Sequence, residues 1–507
     1  MKRYCLFILL ALITTTGCKK YLDVNEDPRT PQLTTGETLL PHVQAYMGYA
    51  IGLDARYVGK YVQFWVNNAA NDGVEAHGSP FPGGNELWTM HYTKLGLALN
   101  QMLFDAEKNE KWGYAGISKA LRAWSWQIST DHFGEMILKQ AWASDRYIFD
   151  YDPQEDIYAE VQKLCNEALD YFNRETAKAI APNSDFMFKG NKAQWIKFVY
   201  GILAINANHI SNKSTYNPAK VIEYADKSIL ENVDNARIQY NGITGGTSTT
   251  SDSWVLGPKR GNITSLAYIQ SQTILNLLTG YQRGVNVVDP RIGVLLQKSA
   301  DGNYYGATAT FGDPNSAATN TKRIPAVIGG FAAPWPGRFL YRDTIQWPIM
   351  TASMMYFIKA EAAFRGNQKG VAFTAYKNGI DRSIDYFSSL GPAITATQKS
   401  TYLASAAVAQ DEASLTLSDI MTQKYIALYG WGFEETWADI RRFHYDTTVY
   451  KGYSIPDITR LNISNNGQLA YRFRPQNTEY LYNIEALNKI GGNKADYHTY
   501  EMWFTKQ

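Results

Sequence analysis

Apolar residues recurring at intervals of three and four constrain this chain more than any other feature. Ile117, Ala120, Leu121, Trp124 and Ile128 form one such stripe. Ile157, Val161, Leu164, Ala168 and Phe172 form a second, behind the helix-start signal Asp152-Pro153-Gln154-Glu155. A third runs through Ile196, Val199, Leu203, Ala207 and Ile210, and further helices fit 218–230, 351–365 (closed by Gly366), 371–387 and 417–429. Such a stripe buries one helix face against a neighbour, and short connections favour antiparallel pairs. PAKVIEYADKSIL at 218–230 has the small–aromatic–small texture of a tetratricopeptide second helix, although no strict period of about 34 residues is present. The expectation is a mostly helical α fold, a loose stack of tetratricopeptide-like helix pairs with long loops and minor β-hairpins.

Between the stripes lie three long segments rich in Gly, Ser, Thr, Asn and Pro, at 67–88, 241–262 and 299–346. Loops of this length in a compact domain are usually functional or disordered. These carry Phe81, Trp88, Trp254, Tyr304, Tyr305, Phe331 and Trp335, whereas disordered segments are poor in aromatics. The composition has 35 Tyr and 13 Trp and only 19% charged residues; many of these rings must sit in the core, but those in the loop segments read as exposed, where Tyr and Trp suit binding surfaces.

The N-terminus reads as an export signal. Lys2 and Arg3 precede the apolar run CLFILLALI, which is shorter than the roughly 20 residues a membrane-spanning helix needs. The run ends at Thr16-Gly17-Cys18, which resembles the lipobox of bacterial lipoproteins, so residues 1–17 are expected to be removed and Cys18 to carry lipid. Lys2 and Arg3 leave with the signal, which takes the formal charge from +2 to zero. No clustered basic face points to nucleic acid. Residues 18–38 are polar, contain Pro28 and Pro31, and read as the lipidated terminus and a tether, with one domain over 39–507. Of the three cysteines only Cys165 remains in the body, where it reads as a small packed hydrophobe.

Signatures of catalysis are missing: no G-x-S-x-G, H-E-x-x-H or phosphate-binding loop occurs. The histidines at 42, 77, 91, 132, 209, 444 and 498 have no close ligand spacing and no CxxC exists, so neither a metal nor a cofactor is expected. Glu434 and Glu435 are adjacent and would diverge by about 100° on a helix. A glycosidase needs two acids facing each other roughly 5–9 Å apart, so this pair reads as a solvated or ion-paired turn beside Arg441 and Arg442. Asp301-Gly302-Asn303 and the acidic run at 23–27 read as plain turns, not calcium loops.

Seven blocks in order, taken together, resemble the SusD/RagB family of nutrient-binding outer-membrane lipoproteins. They are CKKYLDVNEDPRTP (18–31), STDHFGEMILKQA (129–141), YDPQEDIYAEVQKLCNEAL (151–169), FKGNKAQWIKFVYGILAI (188–205), PIMTASMMYFIKAEAAFRG (348–366), QKYIALYGWGFEETWADIRRFHY (423–445) and RFRPQNTEYLYNIEALNKIGG (472–492). The chain departs from the family pattern at Ile137 and Leu138, where a proline and a small aromatic are usual, and at Arg474, where a tyrosine is usual. The resemblance implies a helical fold with a loop-rich ligand face, an outer-membrane position facing the cell exterior, and a SusC-like TonB-dependent transporter on which the protein sits as a lid. It implies capture of a glycan or peptide without catalysis.

Within that picture sugar rings would stack on flat side chains. Trp88, Trp254, Tyr305 and Trp335, with Trp65 and Asn68 beside the first long loop, are the candidate ligand contacts; for each ring, core packing is the competing reading. A lipid-tethered glycan hydrolase with dispersed carboxylates, a peptide-binding member of the family and a scaffold without a small ligand are the alternatives.

Overall fold

The computed structural model describes residues 34–78, 85–176, 178–242 and 253–507. The signal, Cys18, most of the expected tether, the acidic run at 23–27 and Phe81 lie outside the described residues.

Helix α1 (Gly36–Tyr61) opens the fold, so residues 36–38 of the expected tether are already helical. A short turn, Glu86–Thr89, passes through one π-helical stretch, Met90–Leu95, into α2 (Gly96–Lys108). Then come α3 (Trp112–Phe133), α4 (Gln154–Asn173), α5 (Lys192–His209) and α6 (Pro218–Asp226). Later helices are α7 (Gln272–Leu278), α8 (Ala352–Arg365), α9 (Lys369–Ser388), α10 (Leu417–Leu428) and α11 (Phe433–Arg442).

Of the three stripes named between 117 and 210, the second is buried throughout, the first at every position but Ile128, and the third at Val199 and Leu203. In α4, Ile157, Val161, Leu164, Ala168 and Phe172 all face inward, and Cys165 is buried beside them. Side-chain caps fix several starts: Asn191 accepts from the amides of Ala193 and Gln194, Asn217 caps α6 with Pro218 in its first turn, and Thr416 and Asp419 form a capping box on α10. Helix α6 stops at Asp226, four residues short of the expected end.

Neighbouring helices pack in series, α2 on α3, α3 on α4, α4 on α5, α5 on α6, α6 on α8, and α8 on α9 and α10. This is the loose stack of helix pairs that the periodicity predicts. The strands differ from expectation. Strand β1 (Trp65–Val66) pairs antiparallel with β3 (Ile269–Gln270), and β2 (Ala236–Gln239) pairs antiparallel with β4 (Gln346–Met350), with an irregularity at Ala236/Arg237. Both ladders join segments far apart in the chain, so they clamp loops to the helical stack and are not hairpins.

The largest rings fill the middle of this clamp. Trp254 stacks on Trp347 at 4.1 Å, and Phe433 lies 5.1 Å from Trp65. Helix α1 makes room for them with glycine: a Cβ on Gly52 would lie 2.2 Å from Val255 and 2.9 Å from Trp254, and one on Gly59 would lie 2.4 Å from Trp65.

Helix α11 is unlike the others. All ten of its residues are buried, among them Glu434, Glu435, Asp439, Arg441 and Arg442, and it packs against α1, α3, α5 and α10. The expectation of a solvated or ion-paired turn is right about pairing and wrong about solvation. Glu434 bonds His132 at 2.8 Å, while Glu435 bonds Lys424 at 2.6 Å and His209 at 3.0 Å. Arg442 is held by both oxygens of Glu361 at 2.9 Å and by Asp439. Burying charge is tolerated because Glu435, Asp439 and Arg442 each meet an opposite charge with hydrogen-bond geometry, while Arg441 donates to the carbonyls of Trp437, Asp131 and Tyr471.

Candidate functional site

A groove of about 1040 Å³ opens where three irregular segments meet the end of α7. One wall is α7 with the turn Tyr281–Arg283, which is framed by Gly280 and Gly284 in left-handed conformation (φ 85° and 66°). Ser414, Thr416 and Asp419 at the start of α10 form the second wall; Thr447 and residues 451–454 form the third, and Thr308 also lines the groove.

Gln63 ties these walls together from below. Its Oε1 accepts from Thr273 Oγ1 at 2.6 Å and from the Ser454 amide at 3.2 Å, and its Nε2 donates to the Ser454 carbonyl. Its backbone carbonyl accepts from Ser271, the cap of α7. Tyr453 donates to the Tyr61 carbonyl at 2.6 Å and anchors the third wall to the end of α1. Across the groove Arg283 pairs with Asp419 at 2.8 Å and donates to the Ala406 carbonyl at 3.0 Å. Gln272 donates to Asn276 at 2.7 Å.

The surface so built is an array of hydroxyls and amides around one exposed ring. Tyr281 is 59% exposed. Lys451 is exposed on the rim, while Gln282 is 3% exposed and neither of its polar atoms has a hydrogen-bond partner among the described residues. Asp419 is the only carboxylate among the described lining residues, and Arg283 holds it.

The six residues expected to contact ligand separate into two groups. Trp65 and Trp254 are fully buried over the glycines of α1, and Trp88 is 4% exposed with its ring edge-on to Phe133 at 5.2 Å. Their ring faces are covered by protein, which is the core-packing alternative. Asn68, Tyr305 and Trp335 keep part of their surface. Asn68 accepts from the Asp313 amide through its carbonyl, and Tyr305 donates to Asp301 at 2.8 Å; neither lines the groove, and nor does Trp335. The loops do converge, since Arg460 lies 4.0 Å over the exposed Phe311 ring and bonds Asn71 and the Thr310 carbonyl. Sequence reasoning missed Tyr281, Gln282 and Arg283. Their one signal is GYQRG at 280–284, a polar and aromatic triplet between two glycines.

His209, Glu435 and Asp439 come within reach of a single ion. Lys424 already occupies that position, with its ammonium 2.6 Å from Glu435 and 2.8 Å from Asp439. Burial pulls the His209 imidazole down, but Glu435 and Asp131 outweigh it and push its pKa up to about 9. A protonated histidine and an ammonium among carboxylates make this an internal ion network. Glu434 and Glu435 open onto a separate cavity of about 70 Å³, not onto the groove. Asp301 receives the amide of Asn303 at 3.0 Å, the plain turn that its sequence suggests.

Fold and groove define a class: a helical-repeat body that presents a polar, loop-built binding face. Residues 28–474 match the family model of SusD-like proteins described as "starch-binding associating with outer membrane", and the chain belongs to that family. A SusD/RagB family protein from Bacteroides thetaiotaomicron superimposes with a TM-score of 0.72 at 18% identity, covering 93% of this chain and 99% of its own. A SusD homologue from Bacteroides fragilis gives 0.71 at 18%, with 93% and 100% covered. A chitin-binding SusD homologue from Flavobacterium johnsoniae gives 0.64 at 20%, with 91% and 98% covered. No curated protein matches the sequence. No described helix is long and apolar enough to cross a membrane.

Proposed function

We propose that this chain is a cell-surface, lipid-anchored protein of the outer membrane that captures an oligosaccharide in the groove and delivers it to a SusC-like TonB-dependent transporter. The observation that carries the reading is the groove itself, open and polar, with the exposed face of Tyr281 among the amides of Gln272 and Asn276 and a set of short hydroxyl side chains. Sugars present apolar C–H faces to rings and hydroxyls to amides, which is the chemistry this lining offers. The family description as starch-binding and the chitin-binding relative support a glycan.

Two common modes of peptide recognition use apolar side-chain pockets or a free strand edge. The lining supplies neither: its one apolar-bodied residue besides Tyr281 is Tyr453, which is buried. A lone, ion-paired Asp419 likewise gives no second acid for glycoside hydrolysis, which uses two facing carboxylates. Asn68, Tyr305 and Trp335 are proposed as outer contacts on the converging loops, and Cys18 as the lipid attachment point.

Calorimetric titration of the purified protein with maltoheptaose and chitohexaose tests the groove. Saturable binding to one of them that falls at least tenfold in Tyr281→Ala supports it. Binding that survives Tyr281→Ala and Asn276→Ala together moves the site elsewhere, and absence of binding to both sinks the glycan reading. Loss of Cys18→Ser from the outer-membrane fraction tests the anchor. Co-purification with a barrel transporter from the native membrane tests the partner.

A further inference from the structure

Helix α2 carries an apolar stripe that stays exposed among the described residues. Leu97, Gln101, Phe104 and Lys108 recur at i, i+4, i+7 and i+11, so they share one face. Leu97 is 61% and Phe104 52% exposed, whereas Leu99, Met102 and Ala106 on the opposite face are buried. The chain enters the fold across this helix. The Gly36 amide donates to Asp105 Oδ2 at 3.0 Å, and two residues earlier the Thr34 carbonyl accepts from Gln101 Nε2 at 3.4 Å. On a helix that turns about 100° per residue, Asp105 lies about 80° around from Leu97 and Gln101 about 40°. Followed backward, the chain therefore moves from the flank of α2 toward the centre of the exposed stripe, one turn nearer Leu97. Thr34 is the first described residue, and Leu33 is the next one on that heading.

We propose that residues 26–33 lie across the outer face of α2 as a strap, with Leu33 seated between Leu97 and Phe104. Those two residues stand about 10 Å apart along the helix axis, which leaves room for one side chain over Gln101. Pro28 and Pro31 restrict the backbone of this segment, so it has less freedom to lose on docking. Charge favours the same path. On the flank of α2 away from Gly36, a cavity of about 200 Å³ is lined by Asn100, Leu103, Lys119, Arg122 and Glu160. Lys119 and Glu160 are paired with Glu167 and Lys163. Arg122 donates to the Gly96 carbonyl and to Asn100, and no described carboxylate pairs with it. A chain that crosses the stripe brings Glu26 and Asp27 to this side of the helix. A second copy is a poorer occupant, because two side chains supply far less than the roughly 800 Å² that each partner buries in a stable dimer. The strap is also covalently linked to its site, which holds it there at high effective concentration. Its consequence is a shorter leash. Sixteen residues separate Thr34 from Cys18 and could extend about 54 Å, whereas docking from residue 26 onward leaves eight residues, about 27 Å. This stand-off rests on Cys18 being the lipid attachment point; the docking does not.

An arginine-specific protease cuts after Arg29, inside the strap, and the rate at that bond under native conditions reports how often the strap is open. The mature protein is compared with Leu97→Ser/Phe104→Ser, with Leu33→Ser, and with Tyr147→Ser as a control at a 91% exposed ring. The wild type is expected to be cut at least tenfold more slowly than the first two variants and at the same rate as the control. Equal rates in the wild type, the double variant and Leu33→Ser overturn the strap. Acceleration in Tyr147→Ser to the same degree assigns the effect to general loosening and also overturns it. Sedimentation and co-purification test the other occupants. A wild-type dimer that Leu97→Ser/Phe104→Ser dissociates gives the stripe to a second copy and overturns the strap. So does loss of a co-purifying barrel transporter in that variant with the Arg29 rate unchanged. All rates are measured on the lipidated protein and on a version lacking residues 1–17 and carrying Cys18→Ser. Slow cleavage in the second version supports the strap even where the lipid reading fails. Slow cleavage confined to the lipidated protein assigns protection to the lipid and overturns the strap.

Discussion

Replacement of Glu435 by Gln tests whether the charges of α11 hold the fold as a unit. The carboxylate accepts from Lys424 at 2.6 Å and from His209 at 3.0 Å, and all three side chains are at most 9% exposed. The pairs run onward: Lys424 to Asp439, Asp439 to Arg442, Arg442 to Glu361, Glu361 to Arg365, and His209 to Asp131. With the carboxylates ionised, the four acids Asp131, Glu361, Glu435 and Asp439 balance Lys424, Arg365, Arg442 and His209 only while His209 is protonated. Glutamine preserves shape and an acceptor oxygen toward Lys424 but removes the negative charge. Removing one partner of a buried pair costs about 3–5 kcal/mol, and the retained acceptor places this case at the lower end, about 3 kcal/mol. Urea unfolding followed by tryptophan fluorescence, with the slope fitted for each variant, measures it. A loss below about 1 kcal/mol would be within the ordinary range for a surface ion pair and would refute the claim that the network is held by charge in the protein interior.

Other perturbations follow from the same geometry. Because the folded pKa of His209 is raised from the ordinary imidazole value to about 9, its contribution is complete below pH 6.5 and is lost as pH rises through 9. The total is roughly 3 kcal/mol, and His209→Gln should flatten the alkaline limb of a midpoint-against-pH curve by that amount. Gly59→Ala drives a methyl into the Trp65 indole at 2.4 Å and should cost about 1–3 kcal/mol. Gly73→Ala, where a Cβ meets open space, should change the unfolding free energy from urea titration by less than about 0.5 kcal/mol. Asp419→Ala removes both the α10 capping box and the Arg283 partner. It should cost at least about 1 kcal/mol and weaken glycan binding through a loosened Tyr281–Arg283 turn.

Helices α4, α5, α8 and α9 are legible because each divides its residues between core and surface, and the three-four spacing reports that division; α3 and α10 are buried almost throughout and are legible from their apolar residues. Helix α1 is obscured by its entry, where polar residues run into the fold without a break and Pro41 sits in the second turn. Helix α11 is hidden for a different reason. Phe433, Trp437 and Ile440 do keep the three-four spacing, but five of the ten residues are charged and read as a solvent face, whereas all ten are buried. Glu434, Glu435, Asp439, Arg441 and Arg442 take their place in the core from partners on α3, α5, α8 and α10, positions that no local window of sequence contains. The ladders fail the same way, because Trp65 meets Gln270 and Ile238 meets Trp347 across two hundred and one hundred residues or so.

The ligand face follows a related rule with the sign reversed. Tryptophans in loops are the natural sequence signal for sugar binding, yet the more apolar a ring is, the more it gains by burial. Trp65 and Trp254 find that burial against glycines of α1, which admit an indole where any Cβ would collide. The glycines belong to α1, outside all three aromatic-bearing loops, so the decisive information is again remote. What stays exposed in the groove is Tyr281, whose hydroxyl tolerates water. As one of 35 tyrosines it is not conspicuous as a residue type. The seven framework blocks point to the family, and no residue lining the groove falls within any of them, so the resemblance is silent about the groove.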